Sequence, residues 1–154
     1  MNIKLCKISI KDKPIIKQSL VDYLLELGTL LQENTPTEYK YLDSYFTEEK
    51  RNAYFIMLKN EIIGFVFAND YCIIKTNEIA IAEFYIKPDF RNQNFGFFAF
   101  NTLVKQYSLK WEVKTSIKNN KAVLFWKKAI SRITQNEFIK KINGEEVVFS
   151  FEMN

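Results

Sequence analysis

The chain has 154 residues, 47% hydrophobic, 16% aromatic and 26% charged, with 4 Gly and 3 Pro. That profile fits one globular domain over residues 1–154 and excludes disordered, collagenous and low-complexity classes. There is no histidine, which removes Ser-His-Asp and Cys-His catalysis, histidine-based zinc sites and a histidine pH switch. The net charge of +4 suits an anionic small-molecule ligand, but acids are mixed among the lysines throughout, so no nucleic-acid partner is expected.

The elements follow in chain order. Ile3 to Ile10 alternates as an opening strand, and Asp12 with Pro14 marks a helix start. Ile16, Leu20, Tyr23, Leu24, Leu27, Leu30 and Leu31 then fall at helical spacing along one face. Gln32 to Lys50 is polar with scattered tyrosines and reads as a loop with a short helix. Tyr54–Lys59 and Ile62–Ala68 form a hairpin about a turn at Asn60-Glu61. Ile79 to Ile86 is nearly continuous apolar, as in a central strand covered on both faces, with Glu83 as its one charge. After a polar loop, Phe95, Phe98, Ala99, Thr102, Leu103 and Gln106 predict a helix. Trp111, Val113 and Thr115 predict a strand, and Ala122, Phe125, Trp126, Ala129 and Ile130 a further helix. Asn143-Gly144 closes a last hairpin. Strands and helices are mixed, so the fold class is α+β (mixed α/β), a sheet with helices on its faces. No run approaches ~18 consecutive apolar residues, so no membrane span is expected. Cys6 and Cys72 lie in strand-like apolar runs and read as reduced, buried thiols of a cytoplasmic protein.

One segment carries chemistry. Pro88 ends the central strand, and Arg91-Asn-Gln-Asn94-Phe-Gly96 forms the turn that opens the next helix. A helix start presents unpaired N–H groups and about half a positive charge, which together make an anion site. Gly96 permits close approach to the backbone, and Asn94 is a residue type tolerated at positive φ.

The run Arg91-x-x-Asn94-x-Gly96 resembles the acyl-CoA loop of GNAT-family (Gcn5-related) N-acetyltransferases, Arg/Gln-x-x-Gly-x-Gly/Ala after a central strand. Asn94 stands where the first glycine is usual. Asn119-x-x-Ala122-x-x-Phe125-Trp126 is similar to the family's later Asn-x-x-Ala-x-x-Phe/Leu-Tyr helix, with Trp126 at the usual tyrosine. The likeness is specific from Ile79 to Ile130 and points to a bacterial subgroup of unassigned substrate.

The resemblance implies a mostly antiparallel sheet splayed between its fourth and fifth strands, with helices on both faces. It implies acetyl-CoA as co-substrate, without a metal. It further implies backbone contacts from Tyr85 and Ile86 to the pantetheine arm and thioester, and amides of Asn92, Gln93, Asn94, Phe95 and Gly96 around the pyrophosphate. Arg91 would add charge, Asn119 would fix the arm from the other side, and Trp126 would line the arm or the core. Glu83, a carboxylate desolvated in an apolar strand, is the candidate general base. Tyr85 and Tyr107 are substitutes for the missing tyrosine acid. The implied activity is direct acetyl transfer to a primary amine of a small molecule or peptide, in a protein that forms a homodimer or acts alone. A catalytically silent acyl-CoA-binding module is the alternative.

Overall fold

Runs of β-branched and aromatic residues, each bounded by a polar turn, pair into one seven-stranded sheet. The computed structural model describes residues 2–34 and 36–154, so Met1 and Thr35 (the latter within the Gln32–Lys50 loop) lie outside the described residues. In chain order the elements are β1 (Ile3–Lys7), α1 (Lys13–Leu31), α2 (Ser44–Thr47), β2 (Asn52–Leu58), β3 (Glu61–Asn69), β4 (Ile79–Ile86), α3 (Phe95–Val104), β5 (Lys110–Ser116), α4 (Asn120–Thr134), β6 (Ile139–Asn143) and β7 (Glu146–Glu152). The sheet order is β1-β2-β3-β4-β5-β7-β6. Its pairs are antiparallel except β4 with β5, which run parallel through the crossover helix α3.

Two apolar layers cover the sheet. On one face α3 and α4 bury Ala99, Phe100, Leu103, Trp126, Ala129 and Ile130 against Ile79, Ile81, Val113 and Phe149. On the other, Ile16 and Leu20 of α1 and Tyr45 of α2 pack on Phe55, Phe65, Phe67 and Tyr85. Arg51 pins the segment around α2. Its guanidinium carbon is 4.4 Å from the Tyr71 ring centre and 5.4 Å from those of Tyr41 and Tyr45, with Glu48 at 3.3 Å.

Several expectations shift by a few residues. The first strand ends at Lys7, and Ile10–Asp12 is a 3₁₀ turn. Its Ser9 amide and hydroxyl donate to Asp12 Oδ2, which turns that carboxylate away from the α1 start. The hairpin turns are Lys59-Asn60 and Gly144-Glu145, because Leu58 pairs with Glu61 and Asn143 with Glu146. Each carries positive φ at its first central residue, Lys59 at 55° and Gly144 at 60°. Cys6 is exposed on the edge strand, and Cys72 is half-buried in the β3–β4 connection, so neither is a core thiol. Leu30, expected on the buried stripe of α1, is exposed.

Two irregularities shape the centre of the sheet. Phe67 of β3 pairs with Glu83 while Ala68 pairs with Ile81, so β4 carries one extra residue, Ala82. This bulge puts Ile79 and Ile81 on the α3–α4 face and Glu83 and Tyr85 on the α1 face; uninterrupted alternation would keep Glu83 with Ile81. β3 and β4 also approach closely at Gly64, where an added Cβ would run into the Tyr85 carbonyl oxygen. Backbone atoms cannot yield as a flexible side chain would. Gly64→Ala is therefore expected to lower stability by about 1–3 kcal/mol, as overpacking does. Urea unfolding at unchanged m-value checks this, and wild-type stability would refute the close approach.

Candidate active site

The pairing of β4 with β5 lasts three residues, Ile79–Trp111, Ala80–Glu112 and Ile81–Val113, and then the strands part. Ala82–Ile86 and Lys114–Ser116 wall the resulting gap. The Lys87 amide donates to Ile63 of β3 at 2.8 Å. Antiparallel alternation then turns the backbone groups of Tyr85 and Glu83 toward β3, and those of Phe84 and Ile86 toward the gap. The proximity of the Tyr85 carbonyl to Gly64 agrees. Of the two residues expected to offer backbone groups to a ligand, Ile86 thus faces the gap and Tyr85 does not. Phe84, which sequence reasoning missed, faces it as well.

At the mouth of the gap lies the Arg91–Gly96 turn. Asn92 and Asn94 both adopt left-handed backbone, with φ of 60° and 66°. Left-handed residues flanking Gln93 curl successive N–H groups toward one side, the geometry of an anion nest. Gln93 ties the turn by donating its side-chain amide to the Asp89 carbonyl at 3.1 Å. Asn94 is the N-cap of α3, but its side chain caps nothing; its carbonyl accepts from Phe98 N at 3.1 Å. Among the described residues, the amides of Phe95, Gly96 and Phe97 have no protein acceptor.

Gly96 also has a packing role that the sequence reading did not include. Its φ is negative, and a Cβ there would lie 3.2 Å from Phe125 and 3.6 Å from Ile86. The missing side chain lets α3 seat against α4 and β4.

Arg91 is not a free charge. Its two terminal nitrogens clasp Glu26 of α1 at 2.8 and 2.7 Å, and Nε donates to the Ile86 carbonyl at 2.8 Å. The fork therefore fastens the loop to α1 and satisfies one carbonyl at the edge of the gap. Asn119 is similarly engaged: Oδ1 accepts from Ala122 N at 3.2 Å and caps α4. Trp126 belongs to the core, its ring 5.0 Å from Phe84 and 5.2 Å from Phe100. The gap-facing neighbours on that side are half-buried Phe84 and Phe125. Tyr107 is engaged away from β4, its hydroxyl 3.0 Å from that of Tyr54 on β2.

On the α1 face, Glu83 is partly buried among aromatic rings. Tyr23 donates to its Oε2 at 2.6 Å, while among the described residues Oε1 has no donor. Burial pushes the carboxyl up from 4.5 to about 7, against the opposing pull of the Tyr23 hydrogen bond and the Lys114 charge. Around it the Tyr39 and Tyr45 ring centres lie 6.4 Å apart, and Asn69 donates to the Tyr45 hydroxyl oxygen at 2.9 Å. Sequence reasoning filed Tyr23 with the apolar stripe of α1; its signal was a hydroxyl inside that stripe. Glu112 was missed too. It is fully buried and accepts from Ile73 N, Ile74 N and Asn77 Nδ2 at 2.7–3.1 Å, bracing the β3–β4 connection. Two surface hollows, of about 270 Å³ beside Asp70–Asn77 and about 380 Å³ at the end of α1, are lined by neither Glu83 nor the start of α3.

The family model for GNAT-family acetyltransferases matches residues 18–130. A split mixed sheet with an uncapped helix start at its mouth defines this class, and the chain belongs to the GNAT family of acetyltransferases. Among solved structures it resembles an acetyltransferase from Thermus thermophilus at TM-score 0.78 and 15% identity, covering 99% of this chain and 98% of that one. It also resembles the spermidine N-acetyltransferase of Vibrio cholerae in complex with CoA and spermine (TM-score 0.67, 13% identity, coverage 98% and 95%). A third likeness is PaiA N-acetyltransferase of Thermoplasma acidophilum in complex with coenzyme A (0.64, 13%, 99% and 99%). At these identities the likeness is one of fold. No curated protein matches the chain in sequence. Among the described residues, no helix is long and apolar enough to cross a membrane.

Glu83 has a thermodynamic signature. A carboxyl raised to about 7 binds its proton more tightly folded than unfolded, so its contribution to stability is greatest at low pH and is lost as pH rises from 4.5 through 7. Glu83→Gln is accordingly expected to raise Tm relative to wild type at pH 8 but not at pH 4.5. An equal difference at both pH values would contradict the raised pKa.

Proposed function

We propose that this acetyltransferase moves the acetyl group of acetyl-CoA directly to a primary amine, with Glu83 as general base. The observation that carries the reading is the coincidence, in one gap, of open amides at its mouth and a carboxyl near neutrality on its wall. Acetyl-CoA supplies an activated acetyl group as a thioester. The amides of Asn92 to Phe97 suit its pyrophosphate, since they form a nest and a helix N-terminus with no competing cap. The edge groups of Phe84 and the Ile86 amide suit an extended arm that replaces the missing β4–β5 pairing. A donor such as the Ile86 amide also polarises a carbonyl lying on this edge.

The acceptor approaches from the α1 face, where Glu83 lies among tyrosines. Glu83 takes a proton from the acceptor ammonium and frees the nitrogen lone pair for attack. The exchange forms one N–C bond, breaks the thioester C–S bond and removes two protons from nitrogen, one of which leaves on the thiol. A covalent cysteine route has no support. Cys72 is pushed up to about 11, chiefly by burial, and Cys6 lies on β1, three strands from β4. With Trp126 in the core, no tyrosine acid stands at the family's usual place, so thiolate departure relies on the intrinsic acidity of the thiol, near ~8.5. A small-molecule or peptide amine is the proposed acceptor class; the polyamine bound by the Vibrio protein makes spermidine one member of the test panel.

The buried Trp126 also favours a second reading, an acyl-CoA-binding module without turnover. Thiol release from acetyl-CoA, measured with spermidine, simple alkylamines and peptide N-termini, separates the two. Release that falls by at least ~100-fold in Glu83→Gln at unchanged acetyl-CoA affinity is expected, the size of general-base effects. Stabilisation by acetyl-CoA without release on any amine would establish the binding module, and no stabilisation at all would overturn both readings.

A further inference from the structure

Glu83 is held from one side. Its partner, Tyr23, comes from the middle of α1, 60 residues earlier, and donates to Oε2 at 2.6 Å. The tyrosine ring is itself locked edge-on, 5.4 Å from the Phe65 ring and 5.7 Å from the Tyr85 ring. Phe65 and Tyr85 are paired across β3 and β4, and Phe67 and Glu83, two residues along, form the next pair on the same face. The ring is thus clamped by the residues beside the carboxylate it serves, which fixes the hydroxyl direction. Among the described residues Oε1 takes no donor, and it is not sealed away from solvent.

We propose that Tyr23 is a positioning residue for acetyl transfer: it anchors Oε2 of Glu83 so that Oε1 alone faces the acceptor ammonium and takes its proton. The inference rests on the reading of Glu83 as base. Four polar groups face Glu83 from the elements around it: Tyr23 from α1, Tyr39 from the loop after it, Tyr45 from α2 and Lys114 from β5. From β3 the opposing residue is Phe67. Among the described residues neither Tyr39 nor Tyr45 hydrogen-bonds Glu83, and the Tyr45 oxygen accepts from Asn69 at 2.9 Å, so neither tyrosine has the geometry of Tyr23 toward the carboxylate. Lys114 acts through its charge, without a carboxylate within ion-pair distance.

Tyr23→Phe is a clean test, because the ring keeps its packing on Phe65 and Tyr85 while the donated hydrogen is lost. Without that donor the carboxylate form of Glu83 is less favoured, and the group titrates at higher pH. The measurement is a ¹³C NMR titration of side-chain carboxyls in glutamate-labelled protein, with the Glu83 signal assigned by its loss in Glu83→Gln. It is joined to the pH profile of thiol release with the most active amine of the panel. The Glu83 midpoint in Tyr23→Phe is expected to rise by about one pH unit, as for one charge-assisted hydrogen bond, with the acidic limb of the rate profile moving equally and acetyl-CoA affinity unchanged. An unmoved midpoint would overturn the positioning role while Glu83→Gln still reports on the base. A moved midpoint with an unmoved acidic limb would instead remove Glu83 as base, and Tyr23's role with it.

Discussion

The early parting of β4 and β5 is the constraint on which the rest of the molecule depends. A parallel pair joined through α3 has every reason to zip to its end, since each unpaired N–H or C=O forgoes a ladder hydrogen bond. Here pairing stops after Ile81 and Val113, one residue before the bulge at Ala82. The bulge bends β4 and reverses which residues face which layer. It thereby sends Glu83 to the α1 side and Phe84 to the α4 side of the same opening. One inserted residue separates the wall that carries the carboxyl from the apolar wall.

The opening is held by contacts that bridge layers. Arg91 engages all three guanidinium nitrogens within the protein, two on Glu26 and one on Ile86. That bidentate fork needs the planar geometry of arginine, and a lysine there would supply only a point charge. The consequence is that the loop presents unpaired backbone amides while its arginine is already engaged within the protein. One turn earlier on α1, Tyr23 performs the equivalent task for Glu83. Strand β4 and the loop after it are thus both fastened to α1, and the two fastenings differ in chemistry: one is an exposed ion pair open to screening, the other a short hydrogen bond among rings.

Much of this was legible in the sequence, and the exceptions have physical causes. β4 was read at its observed limits because Pro88 ends it, and α4 was read from the spacing of Ala122, Phe125, Ala129 and Ile130. The left-handed conformation of Asn94 followed from its residue type, but that of Asn92 did not, since nothing local distinguishes it. The bulge was hidden because β4 is apolar on both faces. The phase slip from Ile79 and Ile81 to Phe84 and Ile86 is visible only once the two layers are known. The protein contacts of Arg91, Asn119 and Trp126 were not legible, because the motif that holds them records residue type without recording partners. Glu26 and Ala122 N, which take up Arg91 and Asn119, lie outside or beside those motifs. Tyr23 and Glu83 are 60 residues apart, and no local pattern announces such a pair.

The central claim is that unpaired amides at the mouth of one opening and along its β4 edge form a single thioester-binding surface. Backbone ¹⁵N–¹H NMR of the protein titrated with acetyl-CoA tests it most directly. The account predicts that amide shifts concentrate at Asn92–Phe97 and at Phe84 and Ile86, with the Tyr85 amide, turned toward β3, moving less than either strand neighbour. Shifts confined to other strands, or equal shifts along β4 that ignore the alternation, would contradict it.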